Sequence, residues 1–127
     1  MNTYGVIKEK EAERVEVEKS SNDLDCKINN ILSRLGIKHS VFGYDCLKEA
    51  IKMGIEDPES ITFVTKILYI KLAKKFNKTP AAIERNIRNA ISSMPLSKYR
   101  TKVFYNNIAH YTNKEFIVHL VHYIQYD

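Results

Sequence analysis

Residues 72 to 91 read LAKKFNKTPAAIERNIRNAI. A short lysine-rich helical pattern runs to Phe76, is interrupted at Asn77-Lys78, and gives way to a second helical pattern carrying Arg85, Arg88 and Asn89. A helix-turn-helix pair needs a short first helix, a tight turn of about three or four residues and a second helix held at a steep angle. Such a crossing calls for a small residue inside the first helix and apolar residues in the second to pack on it. Ala73 is the small residue, Leu72 and Phe76 flank it on the core side, and Ile83 and Ile87 are the packing residues of the second helix. Asn77 stands where Gly is commonest, and Asn is the non-Gly residue best able to take a left-handed conformation. Thr79-Pro80 reads as a side-chain cap followed by Pro at the first helical position. Lys78 is the poorer fit, because that turn position is usually apolar.

Helical periodicity divides the second helix into two faces. Ile83, Ile87, Ala90 and Ile91 share one side, and Ala81, Ala82, Arg85, Arg88, Asn89 and Ser92 occupy the other. Small side chains at 81 and 82 let the backbone approach the floor of a major groove. Arg85 and Arg88 suit guanine O6 and N7 or phosphates, and Asn89 suits an adenine edge. Lys66, Lys71, Lys74, Lys75, Lys78 and Thr79, with Lys98, Arg100 and Lys102, are candidates for phosphate contacts that set register and affinity. The same pattern also arises in ordinary α-hairpins, where Arg85 would serve Glu84 and the alanine pair would simply favour helix.

The charge distribution weighs against that plainer reading. The chain of 127 residues has a formal net charge of +5. Residues 60 to 102 hold ten basic side chains and a single acid, Glu84, whereas residues 1 to 23 hold four basic and six acidic ones. A solvated face kept for solubility interleaves acids with bases. A segment nearly free of acids recruits polyanions, chiefly nucleic acid or an anionic membrane surface.

Outward from the motif, the chain reads as mostly helical, with residues 95 to 111 assigned to no element. With 44% hydrophobic residues, 28% charged ones and only seven Gly or Pro, it suits one domain built from helices better than a many-turned all-β architecture. Residues 1–21 are rich in Glu and Lys and are expected to form a charged flexible tail; residues 22–127 form the helical domain. Leu24, Ile28, Ile31, Leu32 and Leu35 make one stripe, with Asn22 or Asp23 as cap and Gly36 as a left-handed stop. Tyr44, Leu47, Ala50 and Ile51 make a second stripe that runs to Gly54, and Asp57-Pro58-Glu59 suits the first turn of the next helix. Apolar residues over 60–76 are too many for one amphipathic stripe. The segment is either one well-buried helix or two helices meeting near Tyr69. Met94-Pro95-Leu96 breaks the helix that begins at Thr79. Thr112 and Glu115 have capping-box spacing before Phe116, Ile117, Leu120, Val121 and Ile124. Lys98, Arg100 and Lys102 are expected to be exposed.

Other chemistries find little support. His119 and His122 are three apart on one helix, but no third metal ligand is evident and His110 is not placed by the sequence, so no metal site is expected. Cys26 and Cys46 have no nucleophile arrangement around them and read as small buried hydrophobes in a reducing cytoplasm. The four glycines are isolated, which excludes a phosphate-cradling loop. No cofactor and no enzyme activity are expected. No apolar run is long enough for a membrane span, so no membrane partner is expected either.

The stretches LGIKHSVFGYDCLKEAI (35 to 51), ITFVTKILYIKLAKKFNKTPAAIERNIRNAI (61 to 91) and NKEFI (113 to 117) resemble the C-terminal DNA-binding effector domain of the stage-zero sporulation response regulator family. The likeness spans roughly residues 23 to 124, and AKKFN…IERNIRNAI is its specific part. It implies a compact all-α bundle of about six helices with a helix-turn-helix whose second helix reads the major groove, often as tandem protomers along the DNA. It places Glu84, Arg85, Arg88 and Asn89 on the recognition helix. Ala82 stands where the family has a base-contacting Arg, Asn89 replaces a His, Ile70 replaces a helix-separating Pro, and the stretch between Ile91 and Asn113 is shortened. The resemblance also implies a sigma factor of RNA polymerase and a second protomer as partners. A tail of about 21 residues is too short for the family's phosphoacceptor receiver domain, so the chain is expected to act as a stand-alone, nucleoid-associated regulator of transcription. The alternative is a protein-interaction module that kept the fold, lost base readout through Ala82 and binds a regulator or sigma factor.

Overall fold

The computed structural model describes residues 23–104 and 111–126. The proposed tail and His110 lie outside the described residues. The first helix, α1 (residues 23–34), buries Ile28, Ile31, Leu32 and Leu35 and stops at Gly36, whose φ of 90° lies in the left-handed region. The Ile37 N–H reaches back to the Leu32 carbonyl at 3.1 Å, so the chain reverses with its last carbonyls satisfied. A Cβ at residue 36 would also stand 2.7 Å from Pro95 Cδ.

The second helix, α2 (Phe42–Glu56), is the centre of the bundle. It buries Tyr44, Cys46, Leu47, Ala50 and Ile51, as the stripe predicts, together with Gly43 and Gly54. Both glycines are close-approach sites. A Cβ on Gly43 would stand 2.6 Å from Ala90 Cβ, and one on Gly54 would meet Ile61 Cγ2 at 2.7 Å and Val121 Cγ2 at 2.8 Å. Only a residue without a side chain lets the later helices lie this close.

After α2, the Asp57 carboxylate accepts the Glu59 N–H at 3.3 Å and opens the short α3 (Glu59–Thr62). A π-helical turn at Val64–Leu68 then leads into α4 (Tyr69–Phe76). The apolar run over 60–76 is therefore broken, but at Phe63 and not at Tyr69: α3 ends there, and the π-helical turn continues directly into α4. Its breadth has a simple cause: Phe63 is 53% exposed and Ile70 42% exposed, so not every apolar side chain in it faces the core. Then follow α5 (Pro80–Ser92), α6 (Lys98–Phe104) and α7 (Asn113–Tyr126). The result is an all-α bundle of seven helices among the described residues, with no strand among them.

The predicted capping box opens α7. Thr112 Oγ1 accepts the Glu115 N–H at 3.2 Å, and Glu115 Oε1 accepts the Thr112 N–H at 3.3 Å. Behind it Phe116, Ile117, Leu120, Val121 and Ile124 are buried. Phe104 of α6 stacks on Phe116 and on His119. Two expectations need correction. Cys26 is exposed on α1, one position off the buried stripe, and only Cys46 is a core residue. Arg100 is half-buried where exposure was expected, because its guanidinium turns inward to donate to the Met94 carbonyl at 3.2 Å.

Candidate nucleic-acid interface

The corner between α4 and α5 is built by local chemistry. Leu72 and Ala73 are buried, and Phe76 meets the Phe42 ring edge-on at 5.2 Å. Asn77 has φ 54° and ψ 50°, the left-handed conformation the turn requires, and the Lys78 N–H donates to the Ala73 carbonyl at 2.9 Å. Lys78, the poor fit at an apolar position, stays exposed and places its Nζ 5.9 Å from the centre of the Phe42 ring. Its long stem takes the place of a smaller apolar side chain. Thr79 Oγ1 accepts the Ala82 N–H at 3.1 Å, and Pro80 follows at the first position of α5.

On α5, Ile83, Ile87 and Ala90 are buried and Ala81, Arg85, Arg88, Asn89 and Ser92 are exposed. Ala82 differs from its expected place on the open face: it is half-buried at the edge, with its carbonyl accepting Asn86 Nδ2 at 2.7 Å. Arg85 has no carboxylate partner among the described residues. Glu84 pairs with Arg88 instead, Oε1 to Nη1 at 3.4 Å, which is the i, i+4 geometry that places both on one ridge of the helix. With the side chains 57% and 38% exposed, this pair is worth about 0–1 kcal/mol and holds Arg88 only loosely.

The lysines fall into two groups. Lys71 is held by Asp57 at 3.1 Å and Lys75 by Glu49 at 2.7 Å. Lys66, Lys74, Lys78, Lys98 and Lys102 are exposed and pair with no carboxylate among the described residues. Lys66 lies on the rim of a groove of about 610 Å³ bounded by the π-helical turn, the Glu84–Arg88 edge of α5 and the start of α7 at Asn113 and Lys114. Lys102 lies elsewhere, around a smaller groove of about 230 Å³ with Lys27 and Arg34 of α1.

Sequence reasoning missed the participation of α7. Asn113 Nδ2 donates to the Glu84 main-chain carbonyl at 3.0 Å and to the Tyr69 hydroxyl at 3.1 Å, and Lys114 Nζ donates to the Thr62 carbonyl at 3.1 Å. The capping box locates the start of α7, but nothing local says that this start lies against α5. His119 has structural surroundings. His119 Nε2 lies 2.6 Å from the Val103 carbonyl and its ring stacks on Phe104, while His122 is exposed. Among the described residues no group of three or more His, Cys, Asp or Glu side chains could hold a metal ion. No helix among them is long and apolar enough to cross a membrane.

The family described as sporulation initiation factor Spo0A C terminal matches this chain over residues 28–124, well over half of its length. The chain belongs to that family. The family is one of DNA-binding effector domains that regulate transcription in sporulation, and not a family of enzymes.

Proposed function

We propose that this member of the Spo0A C-terminal family binds duplex DNA in a sequence-specific manner, laying α5 in the major groove and so regulating transcription on the nucleoid. The observation that carries this reading is the exposed face of α5. Arg85 and Arg88 stand one turn apart from the middle of the helix onward, Asn89 lies beside them, and Arg85 has no carboxylate partner among the described residues.

Each side chain then has a role that its chemistry allows. Arg85 donates in a fork to guanine O6 and N7, a contact worth about 1–3 kcal/mol of base discrimination. Arg88 does the same or holds a phosphate once the weak pair with Glu84 opens. Glu84 can accept from a cytosine N4 amino group, and Asn89 can bond an adenine edge. Ala81 leaves room for the backbone to approach the bases, and Ala82 does so only at the rim. Lys66, Lys74 and Lys78 surround the motif and neutralise phosphates, with Thr79 donating its hydroxyl or presenting the N-terminus of α5.

Selection of bound sequences from random duplex DNA tests the proposal. A reproducible motif, bound with an affinity that falls as salt rises, is the expected result. Binding without sequence preference would overturn base readout and favour the protein-interaction alternative.

A further inference from the structure

The packing face of α5 is apolar, and apolar contact is non-directional. Ile83, Ile87 and Ala90 hold the helix in the bundle, and the seat of Ala90 and Asn86 on Gly43 sets its distance from α2, but none of these contacts is directional. A directional contact is needed to fix how far Arg85 and Arg88 turn toward a duplex. Asn113 makes one. Its side-chain amide has two N–H donors, and they go to the main chain of α5 at Glu84 and to the first residue of α4 at Tyr69. Glu84 and Tyr69 lie 29 and 44 residues from Asn113 in the chain, so nothing local brings them together. Tyr69 is 6% exposed and Asn113 is half-buried, so both bonds are partly withdrawn from water at the wall of the groove. The platform beneath Asn113 is itself pinned, on one side by the Thr112–Glu115 capping box and on the other by Lys114 on the Thr62 carbonyl.

We infer that Asn113 is a positioning residue that sets the orientation of α5, and with it the presentation of Arg85 and Arg88 to DNA. The carbonyl it holds belongs to the residue immediately before Arg85 and one turn before Arg88, at the centre of the reading face. Asn113 touches neither base nor phosphate in this role. Its contribution is to confine the helix so that correct and incorrect sequences are told apart.

The inference rests on the proposal of base readout, and two measurements separate the two. On duplex DNA, Asn113→Ala is expected to lower the ratio of specific to non-specific affinity by about tenfold while leaving non-specific affinity and its salt slope unchanged. Tyr69→Phe keeps the ring in the core, removes one of the two acceptors and shifts the ratio in the same direction by less. In the free protein, amide exchange is expected to speed up from Arg85 to Asn89 in Asn113→Ala while the amides of Leu47 to Ile51 in α2 keep their protection. If the specificity ratio is unchanged, or if protection falls equally in α2 and α5, Asn113 is a general stabilising residue and the inference fails. A wild-type protein without sequence preference would sink the base-readout proposal, and the exchange measurement would still decide whether Asn113 confines α5.

Discussion

Gly43 of α2 sits against Ala90 of α5 with no space for a side chain between them: a Cβ on the glycine would stand 2.6 Å from Ala90 Cβ and also collide with the Asn86 carbonyl oxygen. The obstacle includes backbone, which cannot swing aside as a flexible side chain would. This contact seats the exposed helix of the corner on the central helix of the bundle. Gly43→Ala is expected to destabilise the fold by about 1–3 kcal/mol through overpacking, measured as a lower denaturant midpoint. Any DNA binding weakens with it, because α5 must move outward.

Arg85 and Arg88 differ in their surroundings, and their variants should differ too. Arg85→Ala removes no ion pair from the free protein, so its thermal midpoint should match that of the parent. Arg88→Ala breaks the pair with Glu84 and should cost at most about 1 kcal/mol of stability. On a selected duplex either change should cost about 1–3 kcal/mol and relax the preference at one base position. Equal binding by parent and both variants would remove α5 from the interface.

The two groups of lysines make a test of phosphate contact. Lys78 is without a carboxylate partner among the described residues, whereas Lys75 is 2.7 Å from Glu49. Lys78→Ala should reduce the slope of log affinity against log salt by about 0.9, the value for one phosphate on B-form DNA. Lys75→Ala should change it less, since the pair with Glu49 already satisfies that ammonium. A slope that drops equally in both variants would show that the pair opens on DNA.

Asn77 and Thr79 decide the corner before any tertiary contact does. Asn77→Val places a β-branched residue at φ 54° and should cost roughly 1–2 kcal/mol, while Asn77→Gly should be tolerated. Thr79→Ala leaves the Ala82 N–H without its acceptor and should cost about 1 kcal/mol. Urea titration of the three variants gives the order directly.

Cys46 gives the protein an alkaline limit. Burial, with the charge of Asp45 adding to it, pushes the thiol up from 9.0 to about 12. The folded state therefore keeps the thiol proton that the unfolded chain loses near pH 9. This stabilising contribution is complete below pH 9 and declines as pH rises toward 12. Tyr69 and Tyr44, raised chiefly by burial, act in the same direction. Unfolding free energy should be lower at pH 10.5 than at pH 8. At pH 8 an alkylating reagent should label Cys26 in the native protein and Cys46 only after unfolding.

Much of this molecule is legible along the chain because its signals are local. Gly36 and Asn77 stop their helices by adopting left-handed backbone, Thr79 and Thr112 start theirs with side-chain caps, and the buried stripes of α1, α2, α5 and α7 follow from helical periodicity. The same periodicity separates Ile83 and Ile87 from Arg85 and Asn89, so the candidate reading face is visible before any fold is known. The apolar run over 60–76 is where local signals stop being sufficient. Periodicity cannot tell one wide helix from two narrow ones, and the break at Phe63 with the π-helical turn after it depends on how the segment meets its neighbours.

Helices α1, α2, α5 and α7, the corner at Asn77 and the outward direction of Arg85 and Asn89 follow from the chain alone, because each depends on contacts within a few residues. How those parts are seated depends on contacts between segments that are distant in the chain. Gly43 is essential only because Ala90 and Asn86 cross over it. Glu84 serves two partners, its carboxylate holding Arg88 and its main-chain carbonyl accepting from Asn113. Arg100 turns inward only because the Met94 carbonyl is within its reach. The seat of Ala90 and Asn86 on Gly43 and the bond from Asn113 to Glu84 join residues whose separation in sequence carries no information about their distance in space, and both bear on how the legible face of α5 is held.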